Sequence, residues 1–137
     1  QGIIENVLFK NIDGDGLDTS GSKVSIFNSN FEKISDKAIS VGEKSFVSMN
    51  NIEINSSGFG FASKDGSVVD GNNINIFNST KADIAAYKKK SFYNGGKIKI
   101  NNTPIENRMI FIQKGSSAMI NNKQIPTINF DTAKTFY

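Results

Sequence analysis

The chain has 137 residues, 37% of them apolar and 21% charged, a balance that excludes a disordered tail and suits one domain with a real core. Zero Cys and zero His remove disulfides, thiolate nucleophiles, most zinc sites and every histidine-based triad. The net charge of +3 equals the contribution of Lys88, Lys89 and Lys90 alone, so it marks a local patch and not a nucleic-acid surface.

From the N-terminus onward the chain repeats itself. A first unit carries Asn6, Phe9, Leu17 and Ser22; a second carries Asn28, Phe31, Ile39 and Ser45. A third carries Asn51, Ile54, Phe61 and Ser67, and a fourth Asn73, Ile76, Ile84 and Ser91. Two further units keep Asn102 with Ile105 and Asn122 with Ile125. The Asn column therefore steps by 22, 23, 22, 29 and 20 residues. Inside the units Val24 and Ile26, Ile39 and Val41, Ile98 and Ile100, and Ile110 and Ile112 alternate with other residues. Such short period-two runs, broken by Asn, Gly, Ser and Asp, predict short strands, and no ten-residue stretch carries a helical period. The 2 prolines, Pro104 and Pro126, fall where the spacing departs most from the repeat.

A helix-free unit of about 22 residues fits one coil of a parallel β-helix. The prediction is all-β: a single-stranded parallel solenoid of about six coils, 20–29 residues each, over 1–126, with 127–137 as a C-terminal cap or tail. Coils stacked about 4.8 Å apart make a rod roughly 29 Å long. Its core stacks Phe9, Phe31, Ile54 and Ile76, and the Asn column forms a structural ladder of amides satisfying polar groups at a turn. The chain begins with Gln inside the repeat, so an upstream segment is expected to have been removed, leaving either a cut solenoid or an edge open to end-to-end stacking. The stretch from Thr127, with Phe130, Phe136 and Tyr137, is expected to cover the last coil as a lid. No run of about 18 apolar residues exists to span a membrane.

This stacked pattern resembles the right-handed parallel β-helix, or pectate-lyase-like, superfamily. The segments DGDGLDTSGS, DKAISVGEKS, GFASKDGS and IAAYKKKSF are similar to phrases in β-helix repeat domains of bacterial secreted and surface proteins. The resemblance implies polysaccharide chemistry (lyases, hydrolases and epimerases, with tailspikes and adhesins beside them) and an extracellular or cell-surface setting.

Strand alternation turns the repeat into a surface map. With Leu17, Ile39, Phe61 and Ile84 inside, Asp18, Ser40, Ala62 and Ala85 point out, as do Ser20, Gly42, Lys64 and Tyr87 two places on. One face is then expected to present Asp18, Lys37, Glu43, Lys64, Asp65, Tyr87, Lys89 and Lys90. These are the parts for β-elimination on a uronate: Lys64 as base, Tyr87 as acid, with Lys37, Lys89 and Lys90 holding the substrate carboxylates. The same residues also suit a plain solvated loop edge. Asp13, Asp15 and Asp18 are candidate calcium ligands, although Leu17 and Val24 break the EF-hand template at its fifth and twelfth positions; a glycine-permitted turn is the alternative. The insertion from Lys88 through Phe92, Tyr93 and Gly96 suits an anionic polysaccharide, with rings for sugar faces and lysines for carboxylates. A lone arginine, Arg108, argues against nucleic acid. Absence of Trp leaves a second role open, that of a structural spacer or stacking module.

Overall fold

Backbone conformation at the corners sets the architecture. In the computed structural model, which describes residues 1–137, positive φ recurs at three corners along the coils. Asn6, Asn28, Asn51, Asn73 and Asn102 occupy the first corner; Asn11, Lys33, Ser56, Asn78 and Asn107 the second; Gly21, the pair Glu43 and Lys44, and the pair Asp65 and Gly66 the third. Asparagine enters the left-handed region more readily than other residues with a Cβ, because its short amide hydrogen-bonds locally. That preference explains why Asn dominates two of the three corners.

Strands fill the sides between corners. The first coil holds β1 (Gly2–Glu5), β2 (Leu8–Ile12) and β3 (Leu17–Ser20). In the next two coils, β4 (Lys23–Gly42) and β5 (Phe46–Lys64) run almost without interruption. The fourth coil holds β6 (Val68–Phe77) and β7 (Ala82–Tyr87), and the fifth β8 (Lys97–Asn101) and β9 (Ile110–Ile112). Every pairing between these coils is parallel.

The result is a parallel β-solenoid of about five turns, one fewer than the repeat count suggests. A sixth coil starts, since β10 (Ser117–Ile120) pairs in parallel with β8. It stops because Asn121 and Asn122 both take positive φ, 53° and 63°, and β11 (Lys123–Gln124) returns antiparallel along β10. Two successive residues at positive φ are what a two-residue type I′ hairpin requires. Asn122 is thus a hairpin residue and not a ladder member.

The predicted core columns stack in register. Phe9, Phe31, Ile54 and Ile76 are successive partners, and so are Leu17, Ile39, Phe61, Ile84 and Ile110. The Phe9 and Phe31 rings lie 4.4 Å apart and 4° from parallel. Phe31, Ile39, Ile54, Phe61, Ile76 and Ile84 are buried, each contributing about 1.5–3 kcal/mol. Phe9 and Leu17 stay half-buried because nothing stacks on the outer side of the first coil.

Of the two polar columns, the asparagine ladder forms as expected over Asn28, Asn51 and Asn73, and the serine column departs in its last member. Asn51 donates to Asn28 at 2.8 Å and Asn73 to Asn51 at 3.2 Å, but these amides are exposed, so the column is a corner device, not a buried network. Asn102 then donates to Asn72 instead of Asn73. In the serine column, Ser45 and Ser67 are buried, with Ser67 donating to the Val41 carbonyl at 2.8 Å, whereas Ser91 sits in the exposed insertion. Gly96 takes the register place below Ser67, because a Cβ there would lie 1.9 Å from the Ser63 carbonyl oxygen.

After the hairpin, Ile128 bridges to Gln113 at the edge of the fifth coil. A short helix, α1 (Thr132–Phe136), is capped by the Asp131 carboxylate, which accepts the Lys134 N–H at 3.2 Å. This tail does not only cover the last coil. It runs back along the side of the rod as a strap.

Candidate functional site

The outward columns of the third side fall as the alternation requires. Ser40, Ala62, Ala85 and Phe111 are successive register partners, and Lys64 pairs with Tyr87. Lys64 and Tyr87 therefore share one side of the rod. Their availability differs sharply, because the strap lies on this side. Phe59, Ala62, Ala82, Ala85 and Tyr87 form a second apolar cluster under Phe136, outside the coil interior. Phe136 meets Phe59 edge-on at 4.9 Å, Phe111 at 5.6 Å and Phe130 at 5.5 Å.

Tyr87 is completely buried, and its hydroxyl is hydrogen-bonded to that of Tyr137 at 2.8 Å. Burial, then the Tyr137 hydrogen bond, pushes its pKa far above the usual phenol value. A proton so held and so covered is not presented to a substrate. Lys37 is 3% exposed, its ammonium 4.9 Å from the Phe59 ring, 5.1 Å from the Tyr137 ring and 3.3 Å from the Asp36 carboxylate. Burial works against its charge, but Tyr137, Asp36 and Asp15 outweigh it and raise its pKa. The Lys89 ammonium also lies against the Tyr137 ring, 4.5 Å from its centroid. The strap thus takes Lys37 and Tyr87 out of the expected site and uses Lys89 to hold its end.

The insertion is anchored at its root. Asp65 is buried and accepts the N–H groups of Lys89 and Lys90 at 2.8 and 2.9 Å, which occupies it structurally. Lys90 reaches Glu43 at 2.6 Å, and Glu43 also accepts from Ser20 at 2.8 Å. The hydrogen bond from Lys90, then that from Ser20, lowers the Glu43 pKa, and the Glu43 bond raises that of Lys90. Tyr93 lies against Lys44 at 5.9 Å, so the loop folds back over the third-corner turns of earlier coils. Phe92 is 78% exposed and lies tilted at 39° to Tyr93, with ring centroids 4.7 Å apart.

The three aspartates of the first coil are not brought together, and no group of three acidic side chains is placed to hold a metal ion. Asp13 accepts from the Ser35 hydroxyl at 3.0 Å and Asp15 from the Lys37 N–H at 3.0 Å, both toward the second coil. Asp18 points outward in line with Ser40.

The main surface missed in the sequence lies on the first side and corner. An open groove of about 710 Å³ runs along Asn73, Asn101, Asn102, Thr103 and Asn121, and a second of about 300 Å³ adjoins it at Asn101. The doublets Asn50–Asn51, Asn72–Asn73, Asn101–Asn102 and Asn121–Asn122 are the signal that could have found it. Comparison with known protein families, curated proteins and solved structures finds no match to this chain.

Proposed function

We propose that the protein is a carbohydrate-directed β-helix domain of pectate-lyase-like type, which binds an anionic polysaccharide at a bacterial surface or outside the cell. The observation that carries this reading is the exposed Phe92 ring, tilted against Tyr93 in a loop that carries Lys88, Lys89 and Lys90 and folds over Lys44. Glu43 pairs with Lys90 and Asp65 is turned to the loop backbone, while Lys44, Lys64 and Lys88 form no salt bridge. An aromatic platform among lysines matches a sugar ring bearing carboxylates or sulfates. Binding is the role supported, since Tyr87, the residue expected to act as acid in elimination, is buried.

Titration calorimetry with polygalacturonate, alginate and heparin tests the proposal. Affinity should fall as salt rises, because charges more than about 10 Å apart are screened at 0.1 M. It should drop further in Lys88→Ala with Phe92→Ala, two side chains that hold no coil together. No binding of any of the three at low salt would refute it.

A second reading, an assembly module, is favoured by the open edge of the first coil. β1, β2 and β3 each pair on one side only, and the outward-facing Ile3 and Leu8 beside that edge are 72% and 54% exposed. Concentration-dependent association in light scattering, lost on Leu8→Lys, is its expected signature; a monomer at all concentrations counts against it.

A further inference from the structure

Along the first side of the rod, Phe27, Asn50, Asn72 and Asn101 are successive register partners on the outer face. Beside them stands the corner row of Asn51, Asn73 and Asn102. The corner row has a backbone reason, since each member takes positive φ. The strand row has none. Asparagine is disfavoured in strands, yet it fills this position in three consecutive coils.

Mutual hydrogen bonding does not account for the strand row. The side chains of Asn50 and Asn101 meet no protein partner, and Asn72 uses only its oxygen, accepting from Asn102 at 2.6 Å. Their donors and acceptors face outward, over the two adjoining grooves, which no hydrophobic residue lines. The charges here are Asp70 and Lys99, register partners of opposite sign. The grooves hold one charge of each sign, with Lys97 next along the strand, and are rich in groups that donate and accept together.

We infer that this face binds an uncharged, extended, polyhydroxylated chain, a neutral oligosaccharide laid along the rod axis across the third to fifth coils. A primary amide matches a sugar hydroxyl pair, offering one donor and one acceptor side by side. Successive amides step by the coil spacing of about 4.8 Å, close to the advance of one sugar ring in an extended chain. A polyanion is disfavoured by Asp70 in the groove and its pairing with Lys99, and a flat apolar ligand by the absence of apolar lining. Half-buried Phe27 ends the row. This site shares no residue with the lysine and aromatic loop, so either can fail without the other.

Calorimetry with cellohexaose, xylohexaose and mannohexaose at low and high salt tests the inference. At least one should bind with an affinity that salt leaves unchanged and that weakens with shorter chains. Asn50→Ala with Asn101→Ala, which removes no protein hydrogen bond, should weaken it about tenfold with the melting temperature unchanged. Lys88→Ala with Phe92→Ala should leave it as it was. Failure of all three sugars to bind at millimolar concentration, or binding indifferent to the asparagine pair, would overturn the inference.

Discussion

Replacing Phe136 by Ala tests whether the tail is a true structural strap. Phe136 is 4% exposed and is the hub of the outer cluster, edge-on to Phe59, Phe111 and Phe130 and 5.1 Å from the Tyr87 ring. Buried Phe→Ala changes cost about 3–5 kcal/mol. Here the loss is bounded by the docking energy of the strap, because the inner core columns do not touch this ring. The Gln113 amide bonds to Phe130 and Thr132 and the Tyr87–Tyr137 pair would retain part of that docking. The expected loss is therefore at the low end, about 3 kcal/mol. At about 4 °C per kcal/mol for a domain of this size, the melting temperature should fall by about 12 °C. Calorimetry should show that drop with an unchanged far-UV β-sheet signal, and amide exchange should show Thr132–Phe136 losing protection before the coils do. A fall of less than about 3 °C with protection retained would show that Phe136 only rests on the surface.

Three further outcomes follow from the same geometry. Asn51 sits at φ 56°, so Asn51→Gly should be nearly neutral and Asn51→Ala should cost about 1 kcal/mol in thermal unfolding; the reverse order would show that the amide ladder, not the backbone, matters. Gly96→Ala drives a Cβ onto the Ser63 carbonyl and should cost about 1–3 kcal/mol, checked by denaturant titration, with wild-type stability as the contrary result. In alkaline titration followed by phenolate absorbance, Tyr87 should stay un-ionised until the chain unfolds. Its folded pKa is raised, so its contribution to stability is complete below the unfolded value of about 10 and is lost as pH climbs above it; early ionisation of all 3 tyrosines would contradict this.

The inner columns were legible because burial forces one apolar residue per strand position, and stacking repeats the demand at a fixed interval. Phe31, Ile54 and Ile76 could hardly be read otherwise. The corner asparagines and their amide ladder over Asn28, Asn51 and Asn73 were legible, but their positive φ was not: sequence spacing shows recurrence, not backbone conformation. Tyr87 was misjudged as available because alternation tells which way a side chain leaves the sheet, not what lies beyond it. The clue was apolar residues where solvent was expected, Ala62 and Ala85, alongside a tail whose Phe130 and Phe136 had no assigned partner. Ser91 was miscounted because an insertion moves the register without changing local composition, and only the close approach at Gly96 reveals the true partner.

The two ends of the rod differ in a way that limits how it can associate. At the far end β11 folds onto the open edge of β10, and Ile128 bonds to Ile112 and Lys114 at the edge of the fifth coil. At the near end β1, β2 and β3 leave one row of backbone groups each without a strand partner, over half-buried Ile4, Phe9, Ile12 and Leu17. Head-to-tail contact between copies would need both edges open, and repetition of it would give a filament. With one edge closed, association between copies through strand pairing has to be isologous, first coil against first coil across a two-fold axis, with strands antiparallel at the junction. Such a contact uses up the edge of the first coil and ends at the dimer. Association of the chain through this edge should therefore saturate at two copies in light scattering, and growth beyond that size would mean that the hairpin end opens.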